Sequence, residues 1–310
     1  MDSVFFDPVI DDDARRELVY AGQLVIHSPV PGSLALVEHA REMIHSAFGE
    51  ADPETAQFDM PVEDYARLLA DLKPQFIHHP RSKECIRQML TELGADPEQT
   101  YFDVPRMRSS TSHGYLTSGI AYAFHPHRDT WYSAPMAQLN WWIPIFPVLP
   151  TNVMAFHPRY FDRPVKNGSW AYNYAEWKQT SRRDAAKYIG TDTRKQPHAE
   201  EDVELEPQIR IVTRPGGVLN FSGNQLHSTV PNLSGKTRWS IDFRTANRPD
   251  LETGRGAPNV DCDCTGTTLG DFLRLTDHEH LPAELIAKHD LPPLSAPAPR
   301  HDRVAPAVIA

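Results

Sequence analysis

The stretch that decides the fold is Gly119-Ile-Ala-Tyr-Ala-Phe-His-Pro-His-Arg-Asp129, followed by Ala137-Gln-Leu-Asn-Trp-Trp-Ile-Pro-Ile-Phe-Pro147. Read as extended chain, the first segment puts residues two apart on the same side, so His127 and Asp129 face one point. The second is apolar almost throughout and reads as a buried strand. A His-x-Asp triplet alone means little, because a chain with 15 histidines carries about one by chance. Its place at the end of a strand-like segment, beside a buried strand, gives it weight.

Two further segments join it. In Arg214-Pro-Gly-Gly-Val-Leu-Asn-Phe-Ser-Gly-Asn-Gln-Leu-His227, a Pro-Gly-Gly turn launches a strand, Gly223-Asn224 allows a second bend, and His227 emerges near the strand end. In Thr237-Arg-Trp-Ser-Ile-Asp-Phe-Arg244, alternation sets Arg238, Ser240, Asp242 and Arg244 on one face and Trp239, Ile241 and Phe243 on the other. The imidazoles of His127 and His227 and the Asp129 carboxylate suit one face of an octahedral Fe(II), with three positions left open. A guanidinium turned inward at Arg238 is costly without an anion. A dicarboxylic ligand supplies that anion through bidentate hydrogen bonds, with Ser240 adding another. Other readings of the same residues stay open: a loop histidine beside a carboxylate, or an internal pair of Arg238 or Arg244 with Asp242.

Around this core the texture changes once. The first hundred residues predict helices over Asp11 to Tyr20, Pro31 to Phe48, Pro61 to Leu72 and Ser82 to Leu93, with a short strand over Gln23 to His27. From Tyr101, short β-rich runs take over: Tyr101 to Arg108, Gly119 to His127, Ala137 to Pro147, Val153 to His157, Gln208 to Thr213, Val218 to Ser222 and Arg238 to Thr245. A charged block at about 162–206, helical over Tyr174 to Tyr188, reads as an insertion near one rim. Past residue 250 the chain is loop-like, with a helix near Leu269 to Leu275 and a Pro/Ala-rich, disordered tail over 291–310. The expectation is one α+β domain over 1–290: helical over 1–100, a sandwich or barrel core over 101–250, and a loop and helix over 251–290.

Composition narrows the class. A net charge of −10 without a Lys/Arg block disfavours nucleic acid. No apolar run is long enough to span a bilayer, and the N-terminus lacks the pattern of a signal peptide. The three cysteines (Cys85, Cys262, Cys264) contain no Cys-x-x-Cys, which argues against a disulfide scaffold or thiolate zinc site and for a reducing cytoplasm. Of the remaining candidates for contacting a small-molecule substrate, His125 shares parity with His127, and Trp131 and Tyr132 follow the metal motif. Arg108 shares a face with Arg106, and Arg244 lies one strand repeat beyond the pair Arg238 and Ser240.

The order His-x-Asp, distal His, then Arg-x-Ser resembles the Fe(II)/2-oxoglutarate-dependent dioxygenases of the double-stranded β-helix (jelly-roll, cupin-like) fold. Within them it is most similar to the phytanoyl-CoA dioxygenase-like branch, over roughly residues 100 to 245. The resemblance implies that His127, Asp129 and His227 bind Fe(II), that Arg238 and Ser240 hold 2-oxoglutarate, and that Trp142 lies beside that cosubstrate. It also implies an O2-consuming oxidoreductase that acts on a metabolite C–H bond by hydroxylation, desaturation or cyclisation, releasing succinate and CO2. The rivals are a cupin-type metalloenzyme that does not use 2-oxoglutarate and a non-catalytic β-sandwich binding module.

Overall fold

Apolar residues at helical spacing build four helices before residue 100. The computed structural model describes residues 4–180, 187–194 and 196–290. Helix α1 (Asp12–Tyr20) is capped by Asp11, whose carboxylate accepts from the Ala14 N–H at 2.8 Å. Helix α2 (Pro31–Phe48) opens on a proline, with the Ser33 hydroxyl accepting from the Val30 N–H at 3.0 Å. Helix α3 (Val62–His78) continues past Leu72, where the sequence reading stopped it, because Phe76 is still buried. Helix α4 (Pro80–Glu92) is capped by His79 and begins before Ser82, whose hydroxyl instead donates to the Phe76 carbonyl at 2.8 Å. A Cβ on Gly32 would collide with the Met89 backbone, so glycine permits the close approach of α2 to α4.

Eleven strands occur among the described residues, in two sheets. The large sheet holds β1 (Val4–Phe6), β2 (Leu24–His27), β3 (Thr100–Phe102), β4 (Arg106–Ser110), β5 (Leu139–Pro144), β8 (Val218–Ser222), β10 (Arg238–Asn247) and β11 (Leu273–Arg274). Its order is β1-β2-β8-β5-β10-β3-β11, with β4 also on β10, and only β1–β2 pair in parallel. The small sheet is β7 (Ile209–Arg210), β6 (Met154–Phe156) and β9 (His227–Thr229).

Period-two alternation then sorts the side chains. Trp141, Ile143, Trp239, Ile241 and Phe243 leave one face of the large sheet and pack with Leu36, Ile44, Leu69, Phe76 and Met89 of the helices. Each such buried side chain contributes about 1.5–3 kcal/mol, so this interface outweighs every helix cap. Trp142, Leu219 and Phe221 leave the opposite face and pack with Val153, Phe156 and Ile211 around the small sheet. The polar residues of β10 share that second face, so they lie between the two sheets.

The structure corrects several expectations. Gly119 to His127 is not a strand: it forms a 3-10 turn (Gly119–Ala121) with Gly119 at φ +57, then irregular chain, and only His127 makes a β-bridge. Pro126 lacks the N–H that a ladder needs. Tyr101 to Arg108 divides into β3 and β4, which occupy different stretches of β10. Leu269 to Leu275 is a 3-10 turn (Leu269–Asp271) followed by β11, not a helix. Strand β1 and helices α6 (Arg248–Thr253) and α7 (Ala283–His289) were not foreseen. In the insertion, helix α5 covers Tyr174–Thr180, while its expected continuation over 181–186 and the tail over 291–310 lie outside the described residues. No described helix is long and apolar enough to cross a membrane.

Candidate metal centre

The Pro-Gly-Gly turn places Gly216 at φ +80, a conformation glycine adopts without steric cost, and launches β8. The chain turns at Gly223-Asn224, so His227 opens β9 and does not close β8. There its backbone meets His127: each N–H donates to the other's carbonyl at 3.0 Å. Asp129 begins a 3-10 turn (Asp129–Tyr132), so it converges with His127 across a bend and not along an extended strand.

The result is a tight donor set. His127 Nε2 lies 3.5 Å and His227 Nε2 3.9 Å from Asp129 Oδ1. One ligand atom from each residue falls within 4.8 Å of the others, and among the described residues no other such cluster of His, Cys, Asp or Glu occurs. All three residues are buried. His127 Nδ1 is 2.8 Å from the His125 carbonyl and His227 Nδ1 is 2.9 Å from the Gln225 carbonyl. An acceptor there puts the ring proton on Nδ1 and leaves each Nε2 lone pair facing Asp129, as metal ligation requires. Burial, with His127 adding, pushes His227 down to about 3, so it is neutral and able to ligate at physiological pH.

Asp129 is oriented from behind. Its Oδ2 accepts from Gln138 Nε2 at 3.2 Å and from Arg244 Nε and Nη2, both at 3.2 Å, which turns Oδ1 toward the imidazoles. Burial works to raise this carboxyl, but Arg244, His127 and His227 outweigh it and hold it well below the usual carboxylate range. Arg244 also pairs with Asp242 Oδ2 at 2.9 Å, and its backbone N–H donates to Asp103. Arg108 grips Asp242 with two donors, at 2.7 and 3.3 Å.

Arg238 stands apart. It is 7% exposed, its Nη1 donates to Ser240 Oγ at 2.7 Å, and its Nε has no partner. Of the two pairs with Asp242 that the sequence left open, the one with Arg244 is formed and the one with Arg238 is not, because Arg108 and Arg244 already occupy that carboxylate. The guanidinium sits 5.7 Å from the Trp142 ring, whose Nε1 is also without a partner. Burial brings Arg238 down to about 10, with Asp242 opposing and Arg108 adding.

Arg238, Trp142 and the three metal-binding candidates line one cavity of about 440 Å³ between the sheets. Tyr172, Trp177 and Arg194 of the insertion form another wall, and Tyr132, Arg108 and Arg244 also line it. Three other candidates do not. Ser240 is fully buried and accepts from Arg238 Nη1. His125 is exposed and contributes only its carbonyl, because strand parity does not hold through an irregular segment. Trp131 is fully buried against Tyr160, Val165 and Leu226, with its Nε1 donating to Asp261 at 2.7 Å.

The sequence reading missed two residues that serve the site, Gln138 and Lys73. Gln138 sits at the start of the strand that was read as apolar, where period two would have flagged it. Lys73 of α3 is buried at the cavity wall, its Nζ donating to Ser109 Oγ at 3.0 Å and to the Ile120 carbonyl at 2.7 Å. Burial, with Arg108 and Arg238 adding, lowers it to about 7. No local signal marks a lysine on a helix as buried.

No protein-family model matches the chain, and no curated protein does. Among solved structures it is similar to EvdO2 from Micromonospora carbonacea var. aurantiaca, at 14% identity over 77% of this chain and 92% of that one, with a TM-score of 0.44. SnoN, a non-heme α-ketoglutarate-dependent epimerase from nogalamycin biosynthesis, aligns at 16% identity over 76% of this chain and 84% of that one (TM-score 0.36). AviO1 from Streptomyces viridochromogenes Tue57 aligns at 15% identity over 82% and 99% (TM-score 0.40). Overlap this low leaves the reaction to be read from the side chains themselves.

Proposed function

We propose that this protein is an Fe(II)- and 2-oxoglutarate-dependent oxygenase acting on a C–H bond of a small-molecule metabolite, with hydroxylation the leading outcome. The observation that carries the reading is Arg238, a buried guanidinium without a carboxylate partner among the described residues, lining the same cavity as a His/Asp/His donor set. A ligand carboxylate fits that deficit, and the buried Arg238 Nε and Trp142 Nε1 without partners add to it. We also read the two facing sheets as a double-stranded β-helix, which accounts for the metal-binding candidates lying between them.

His127, Asp129 and His227 would hold the iron, which when bound would couple O2 reduction and the decarboxylation of 2-oxoglutarate to succinate and CO2 with substrate oxidation. Arg238 would hold the far carboxylate, with Ser240 fixing its guanidinium and Trp142 beside it. Arg244 keeps Asp129 ionised, and Gln138 and Arg244 keep it aimed. The aromatic walls of the cavity exclude water, and a substrate would lie against Tyr132 and Arg108, which Pro197 and Asp242 hold in place. No nucleophile or proton-transfer residue is required of the protein.

Anaerobic Fe(II) with 2-oxoglutarate is expected to give a visible charge-transfer band that is lost in Asp129→Ala. A band that is absent from the native protein, or that survives in the variant, refutes the assignment. Metal binding without succinate formation would favour a cupin-type enzyme of another kind. Absence of stoichiometric metal would favour a binding module.

A further inference from the structure

The mechanism leaves one pair of reactive groups unused. Cys262 and Cys264 are free thiols whose sulfurs lie 3.1 Å apart. Both reach the same acceptor, the Thr130 carbonyl, at 2.9 and 3.3 Å. Thr130 is fully buried and follows Asp129 directly.

The segment carrying the thiols is clamped at both ends. On one side Asp261 accepts from Arg128 Nε at 3.0 Å, Trp131 Nε1 at 2.7 Å and the Val165 N–H at 2.9 Å. On the other, the Thr265 carbonyl accepts from Ser133 Oγ at 2.7 Å. Arg128 itself lies between His127 and Asp129 and is fully buried. The two sulfurs therefore meet on a scaffold that also positions the metal-binding candidates, and they need approach by only about 1 Å to reach the disulfide bond length of about 2.05 Å. Contact with Cys262, helped by Ser133 and opposed by burial, holds the Cys264 thiol below its ordinary value, while the same contact and burial push Cys262 up. Either sulfur can donate across the contact, so either can serve as the attacking thiolate.

We propose that Cys262 and Cys264 form a reversible dithiol–disulfide pair whose closure, driven by a peroxide, loosens the Asp129 side of the metal centre. The chemistry balances with hydrogen peroxide as oxidant. One of the two sulfurs, as thiolate, takes one oxygen, with uptake of a proton and release of water, and becomes a sulfenic acid. The other sulfur displaces that hydroxyl as a second water, so two thiols and one peroxide become one disulfide and two waters. Closure removes both sulfhydryl donors from the buried Thr130 carbonyl, and the backbone next to Asp129 loses that support. The coupling to metal rests on the reading given under Proposed function; the thiol chemistry does not.

The test uses the full-length protein freed of metal, treated with hydrogen peroxide, alkylated under denaturing conditions and mapped by mass spectrometry. The expected product has Cys85 alkylated and the Cys262–Cys264 peptide unalkylated and lighter by two hydrogens, with dithiothreitol restoring both thiols. Sulfinic acid, or alkylation at both positions, overturns the pair. Fe(II) affinity, measured anaerobically against a chromophoric chelator, is expected to be about tenfold or more weaker in the oxidised form and to recover on reduction. Cys262→Ala, checked for folding by its melting curve, should bind Fe(II) and lose the peroxide effect. Equal affinity before and after disulfide formation overturns the coupling. If neither form binds Fe(II), the metal assignment and the coupling both fail, while the mass map still decides the pair.

Discussion

Replacing Arg238 by methionine should move ligand affinity and fold stability in opposite directions. The side chain is 7% exposed, with one hydrogen bond, to Ser240, and no carboxylate partner among the described residues. Its fall from an ordinary 12.5 to about 10 corresponds to a burial cost of about 3 kcal/mol. The group is a base with a depressed folded value, so this cost is fully present at neutral pH and is relieved only above about pH 10. Methionine removes the cost and forfeits the Ser240 bond, about 1 kcal/mol. The ligand-free variant should therefore melt at the native temperature or a few degrees higher. For 2-oxoglutarate, losing two charge-assisted bonds of about 1.5–3 kcal/mol each weakens binding between about a hundredfold and about twenty-thousandfold. The assays are thermal unfolding without ligand and anaerobic titration of the Fe(II) form with 2-oxoglutarate. A variant that unfolds far more easily yet binds 2-oxoglutarate normally would refute the argument, because Arg238 would then be structural.

Three further outcomes follow from the site and its surroundings. Arg244→Met removes two of the three donors on Asp129 Oδ2 and should weaken Fe(II) binding about 10- to 100-fold, read by chelator competition; unchanged affinity would remove its orienting role. Asp261→Asn leaves the buried Arg128 guanidinium without its carboxylate and should cost about 3–5 kcal/mol in urea unfolding. His39 is brought to about 4 by burial, with His79 and Arg81 adding, against an ordinary 6.5. Its unfolded form takes up the proton first as pH falls, so stability present above about pH 6.5 is lost toward pH 4, by about 2 kcal/mol between pH 7 and 5. His39→Gln should show a correspondingly flatter urea midpoint over that range.

Patterns confined to one element were legible in the chain. The 3.6-residue spacing in Pro31–Phe48 gives a helix with those bounds, and the alternation in β10 sends Trp239, Ile241 and Phe243 to the helices and Arg238 to the cavity. Features decided by partners distant in sequence were not. Asp242 offered itself to Arg238 on parity alone, but β4 lies beside β10 and brings Arg108 to that carboxylate. His125 shares parity with His127 in the sequence, yet a left-handed glycine and a proline break the strand that parity presumes. Lys73 and the two facing thiols depend on chain separated by tens to more than a hundred residues, which no local spacing encodes.

The main-chain bridge between His127 and His227 joins residues 100 positions apart through two peptide hydrogen bonds, and both rings are then fixed by carbonyls two residues upstream. The clamp for the ion is therefore assembled by polypeptide alone, and little chain entropy is left to lose on capture. Metal uptake should follow a rapid one-step time course without a slow ordering phase, and the emptied protein should keep its tertiary signature.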